Sequence, residues 1–225
     1  MEIYEKLWTE AVFAFERGEH KIDRHLPDKT GDLRRGITLA FRPSAIVRDT
    51  VMDFVSRLMT ICPGQYFYQP QELHVTMLSV ISGTELWQRE LDRFQKCQPI
   101  IREALKTQRP FRIKFQGVTA SPDSVLIQGF PMDDGLTVIR AALREAFASA
   151  GFADMLDRRY KMTAAHITIM RFCRPCSNLT RLVAFLKENR QISFGECEIN
   201  SLELILGDWY ASADKVKMLE EYELR

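Results

Sequence analysis

Several things are scarce or missing from this chain, and each absence excludes something. There are five cysteines in 225 residues, an odd number at irregular spacing, which is not a secreted disulfide framework. No apolar run approaches the roughly 18 residues that a membrane span needs. The opening Met-Glu-Ile-Tyr-Glu-Lys is charged and has no apolar leader core, so no secretory signal is expected. Charge of one sign is lacking too. Lys and Arg total 31 against 30 Asp and Glu, a net +1, so a nucleic-acid ligand needs a local patch rather than a global field. There is no Walker-type Gly-rich loop and no dinucleotide fingerprint, which argues against nucleoside triphosphate hydrolysis and hydride transfer. Cys173 and Cys176 have the spacing of half a zinc site, but Cys62, Cys97 and Cys197 are isolated and give no second pair. The expectation is a reduced, cytoplasmic protein with no membrane association, metal, cofactor or obligate protein partner.

Histidine is also scarce, with four in the chain. Two of the four sit in one repeated phrase. Leu73-His74-Val75-Thr76-Met77-Leu78 is written again as Ala165-His166-Ile167-Thr168-Ile169-Met170. With thirteen threonines in the chain, two of four histidines followed by Thr at i+2 has a chance of about 2%. In a strand, residues i and i+2 share a face. Each copy therefore predicts a strand with one apolar face and one His/Thr face.

The remaining pattern fills in around these strands. Ile3, Leu7, Trp8, Ala11, Val12 and Phe15 fall at helical spacing over residues 2–18, before Gly18. This helix is expected to cap the core. Residues 19–36 read as a polar loop, with His20 and His25 exposed in it. A strand at 37–41 ends at Arg42-Pro43, and Ser44 can cap a helix burying Ile46, Val47, Val51, Phe54, Val55 and Leu58. Tyr66-Phe67-Tyr68 is a strand, and the first His/Thr strand runs to about Ile81. Residues 85–106 are helical, with Pro99 a candidate break. A hairpin turns at Ser121-Pro122-Asp123, a helix spans 134–150, and another spans 178–188 with Ser177 or Asn178 as its cap. Strands close the chain at 197–206 and 213–223.

Strands that pair through hairpins, with helices interspersed, make an α+β plan. The repeat of strand, helix and His-bearing strand predicts a bilobal domain. It has two mainly antiparallel sheets flanked by helices, pseudo-twofold symmetric about a central cleft. Residues 36–225 are expected to form this single domain, and residues 1–35 an N-terminal helix and loop extension.

If both His/Thr faces line the cleft, two imidazoles bracket a bound group. A histidine pKa near 6.5 allows one neutral base and one protonated acid near neutral pH. In-line displacement at phosphorus needs groups on opposite sides of the phosphate. Thr76 and Thr168 would donate to its non-bridging oxygens.

At these residues the sequence resembles the 2H phosphoesterase superfamily, defined by two His-x-Thr/Ser-x motifs with x usually apolar. His74-Val75-Thr76-Met77 and His166-Ile167-Thr168-Ile169 match both, 92 positions apart. The strand 37–41 with Arg42-Pro43 and a helix is similar to the family's opening, and Arg171 follows the second motif as in the family. The resemblance covers about 36–210. It implies metal-independent cleavage or formation of 2′ phosphoester bonds, on 2′,3′-cyclic phosphates of RNA ends or nucleotides or on 2′-5′ linkages. It makes His74 and His166 acid and base, with His166 the base when a cyclic phosphate is opened. It makes Thr76 and Thr168 phosphate holders. Arg171, Tyr66, Tyr68 and Tyr160 are candidate substrate contacts, the tyrosines by stacking on a base. The alternative is a non-catalytic module that binds a phosphorylated ligand or RNA in the same cleft.

Overall fold

The computed structural model describes residues 2–158 and 161–225. The described elements, in order, are α1 (Glu2–Glu16), β1 (Arg35–Phe41), α2 (Ala45–Ile61), β2 (Tyr66–Phe67), β3 (Val75–Thr84), α3 (Leu91–Leu105), β4 (Phe111–Ser121) and β5 (Ser124–Pro131). They continue with α4 (Gly135–Ser149), β6 (Ala165–Arg171), α5 (Leu179–Glu188), β7 (Ser193–Ile199), β8 (Ser201–Gly207) and β9 (Lys217–Glu223). The strands pair antiparallel in the order β7-β4-β5-β6-β3-β1-β8-β9, with β2 beside β6.

This order is two four-stranded halves, β7-β4-β5-β6 and β3-β1-β8-β9, each with its motif strand at the inner edge. The halves meet at one registered pair, Val75 opposite Ile167, so the two sheets are continuous at that seam. The fold is α+β, with the sheet curled strongly into a half-barrel. The chain itself requires the curl. Ile199 ends β7 at one edge of the sheet and Ser201 begins β8 in the other half, with Asn200 alone between them. Consecutive Cα atoms are about 3.8 Å apart, so the halves must bend until these strands touch.

That crossing also corrects the sequence reading of 197–206 as one strand. β7 pairs with β4 and β8 with β1, and one uninterrupted strand cannot serve both halves. The helix expected over 85–106 opens as a 3-10 turn, Trp87–Glu90, and then runs unbroken through Pro99. Gln95 and Pro99 are both exposed, so water can satisfy the carbonyl that proline leaves without a donor.

Helix α1 packs on β4, and its buried residues are Tyr4, Ala11, Ala14 and Phe15. Ile3, placed on the buried stripe by spacing, is exposed, and Tyr4 faces inward instead. The reason is polar. The Tyr4 hydroxyl lies 3.0 Å from the Gly129 carbonyl and 2.9 Å from the Ala165 carbonyl, within reach of both residues' N–H groups. A Cβ at Gly129 would come 2.1 Å from the Ala165 oxygen, so only glycine permits this approach of β5 to β6. The helix ends at Gly18, φ +71°, where the Glu19 N–H bonds the Ala14 carbonyl at 2.8 Å.

Ser44 caps α2 by accepting from the Val47 N–H, and Asn178 caps α5 by accepting from the Arg181 N–H. Ile46 falls on the solvent face of α2 with Asp49, Asp53 and Ser56 and is exposed, whereas Val47, Val51, Phe54, Val55 and Leu58 are buried. His20 is not the exposed loop residue expected. It is half-buried, Nε2 accepts from the Cys176 N–H at 3.1 Å, and its ring packs on Phe172. His25 is exposed. Cys173 and Cys176 point to different partners, the Gly64 carbonyl and Cys62 Sγ respectively. Among the described residues no helix is long and apolar enough to cross a membrane.

Candidate active site

Period-2 alternation gives each motif strand its two faces. Leu73, Val75 and Met77 are fully buried, as are Ala165, Ile167 and Ile169. His74, Thr76, His166 and Thr168 are half-buried and line one cleft. The antiparallel pairing at Val75–Ile167 then fixes which polar residues meet. Counting outward, His74 stands opposite Thr168 and Thr76 opposite His166. In that register each histidine falls level with the threonine of the other motif, and a local twofold axis passes through the Val75–Ile167 pair. The cleft offers about 140 Å³ of space, against the ~10–15 Å³ that one water needs.

The two imidazoles are held differently. His74 Nδ1 lies 2.7 Å from the Glu72 carbonyl, and a carbonyl only accepts, so Nδ1 carries the proton and Nε2 is the unprotonated nitrogen. Glu72 is itself locked. Its carboxylate accepts from the Gln69 N–H and the Tyr66 hydroxyl, each at 2.9 Å, and from the Ala213 N–H at 3.3 Å. Lys29 Nζ donates to the Tyr66 and Ser212 hydroxyls, both at 2.7 Å, so a residue ahead of β1 supports the anchor of His74. His166 has no such anchor, and its buried Nδ1 has no hydrogen-bond partner among the described residues.

In the protein alone, burial works against the protonated imidazole that acid catalysis needs. Burial pushes His74 down to about 4; its bond to the Glu72 carbonyl opposes this, and Arg42 and Arg171 add to it. Burial also pushes His166 down to about 4, helped by Arg171, His74 and Arg140. Both shifts favour the neutral ring at pH 7.

Arg171 and Tyr68 lie at one end of the cleft. Arg171 Nε donates to the Tyr68 hydroxyl at 3.0 Å, and Nη1 pairs with Asp123 at 2.9 Å. Tyr68 is 2% exposed, so its ring face is not open to a base. Tyr66 is not among the cleft-lining residues and belongs to the network behind His74. Tyr160 lies outside the described residues. Sequence reasoning missed the opposite end, where Ser79 and Asp157 line the cleft, and the wall made by Asp208 and Trp209. These residues come from a bulge, a turn and a loop, and such positions carry no periodic signal. No group of acidic, His and Cys side chains able to hold a metal occurs among the described residues.

A family model described as the AKAP7 2′5′ RNA ligase-like domain matches residues 43–216. The chain belongs to this family. As an AKAP7 2′5′ RNA ligase-like domain it is a member of the 2H phosphoesterase superfamily. No curated protein sequence matches it. Among solved structures it is similar to TT0787 of Thermus thermophilus, at 18% identity and TM-score 0.63, covering 84% of this chain and 98% of that one. It is similar to Escherichia coli LigT complexed with 3′-AMP, at 12% identity and TM-score 0.56, covering 85% and 98%. It is also similar to ATU0111 of Agrobacterium tumefaciens, a protein of unknown function, at 15% identity and TM-score 0.59, covering 92% and 96%. At these identities the likeness is one of fold.

Proposed function

We propose that this domain is a metal-independent phosphodiesterase of 2′,3′-cyclic phosphate or 2′-5′ phosphodiester bonds in RNA ends or nucleotides. Two histidines supply its acid and base. The observation that supports this best is the register at Val75–Ile167, which sets each motif's histidine beside the other motif's threonine. A phosphate between the strands then meets two hydroxyl donors and two imidazoles. LigT, similar in fold, has been crystallised with the nucleotide 3′-AMP, in keeping with this reading.

In the opening of a 2′,3′-cyclic phosphate, His166 takes the proton of the attacking water as its oxygen bonds to phosphorus. His74 gives a proton to the ribose oxygen as the P–O bond breaks. The asymmetry of the rings suits these roles. The Glu72 carbonyl on His74 Nδ1 favours the cation an acid must be, against burial, Arg42 and Arg171, whereas His166 has no such carbonyl to offset burial, Arg171, His74 and Arg140. The anionic substrate raises the His74 pKa and so charges the acid as it binds. Thr76 and Thr168 donate to the non-bridging oxygens. Arg171 adds fixed positive charge at one end of the phosphate.

A second reading is a non-catalytic module that binds a phosphorylated ligand. His166 Nδ1 has no hydrogen-bond partner among the described residues to orient the ring as a base, which favours it. One experiment separates the two: hydrolysis of 2′,3′-cyclic AMP in excess chelator. His74→Ala and His166→Ala should each cost about 10²-fold or more. Activity that survives either change contradicts the catalytic reading, and binding without turnover across a panel of cyclic phosphates supports the module.

A further inference from the structure

Helix α4 buries Leu136, Ile139, Leu143 and Phe147, and in the middle of that stripe stands Arg140, 4% exposed. A buried guanidinium ordinarily faces a carboxylate. This one faces four backbone carbonyls. Nε donates to Met77 and Nη2 to Thr76, each at 3.0 Å. Nη1 donates to Thr163 at 3.0 Å and Nη2 also to Ala164 at 2.9 Å. The first two carbonyls follow His74 on β3. The other two precede His166 on the way into β6.

The seam between β3 and β6 has one registered pair. Beyond it the facing carbonyls need donors from elsewhere, because a buried carbonyl without one is costly. We infer that Arg140 is the positioning residue that holds the two histidine-bearing strands at the spacing one phosphate requires. A planar fork with five N–H groups can span two strands, whereas a lysine presents its donors at one point. The arginine also lies among the groups that keep His166 neutral, so it acts on the same ring through its charge. The neighbouring Arg144 is paired with Asp157 at 2.7 Å and leaves Arg140 to the carbonyls. The catalytic consequence rests on the proposed function above; the spacing of the strands does not.

The test uses the full chain with Arg140→Met and Arg140→Lys, each checked for folding by circular dichroism. Inorganic phosphate is titrated while the His74 and His166 rings are followed by NMR, and kcat and KM are measured on 2′,3′-cyclic AMP. In the wild type, phosphate should move both rings with one affinity. In both variants the rings should no longer respond together, and kcat should fall about 10²-fold, the cost of a misplacement near 1 Å, with a smaller change in KM. Arg140→Lys should not rescue. Full rescue by lysine overturns the inference, since charge alone would then suffice. So does a folded variant with a joint response and kcat within about twofold of wild type, since that is less than 1 kcal/mol. If Arg140→Met does not fold, Arg140→Lys decides. If the wild type turns over no cyclic phosphate, the catalytic reading fails alone, and the joint response still decides Arg140.

Discussion

Val75 stands opposite Ile167 across the seam of the sheet, and both side chains are fully buried. Their neighbours on the other face are the four polar residues of the cleft. A slip of one residue in either strand would turn that strand's histidine and threonine into the core. Burial of the apolar face therefore specifies the arrangement of the polar one.

The rings should titrate far below an ordinary histidine when no anion is bound. NMR of the C2 protons should give His74 and His166 midpoints near 4. The sign for stability follows. Between pH 6.5 and 4 the unfolded histidines bind protons that the folded ones do not, so stability should fall as pH drops through that window. Thermal unfolding over the same range checks it, and His74→Asn or His166→Asn should flatten the curve.

Thr76→Val and Thr168→Val remove a hydroxyl and keep the shape. A hydrogen bond to a charged group contributes about 1.5–3 kcal/mol, so each change should weaken phosphate binding about 10- to 100-fold. Calorimetric titration reads this. Unfolding midpoints should hardly move, because neither side chain is fully buried.

Residues 1–35 are outside the matched family region, which begins at 43, yet Tyr4 reaches the entry to β6. Tyr4→Phe should cost about 1–3 kcal/mol, since it strips a buried partner from Gly129 and Ala165. Deleting residues 1–18 should cost more, because Ala11 and Phe15 leave the core as well. Urea unfolding measures both.

Gly129→Ala should break the pairing of β5 with β6, where the new methyl would sit 2.1 Å from the Ala165 oxygen. The expected outcome is a lower yield of folded protein and loss of phosphate binding, read by circular dichroism and titration.

Much of this was legible because it is periodic. The alternation at 73–78 and 165–170 marked the motif strands, and helical spacing with Ser44 marked α2. What was not legible depends on contacts far along the chain. Asn200 looks like any strand residue until β7 and β8 are seen to pair in different halves. Tyr4 was hidden because a hydroxyl buried between strands beat the apolar Ile3 beside it. Arg140 did leave a trace, as a charge in the centre of the apolar stripe of α4, but its four carbonyl partners cannot be read from spacing. The ring pKa values were missed because burial, which sequence does not give, dominates them.

The most direct measurement is a phosphate titration of the wild-type chain near pH 6, watched through both imidazoles at once. Convergence on one anion predicts that the His74 and His166 signals move with a single dissociation constant and that at least one ring takes up a proton. Movement of one ring alone, or of the two with different constants, would mean that the strands do not share a phosphate.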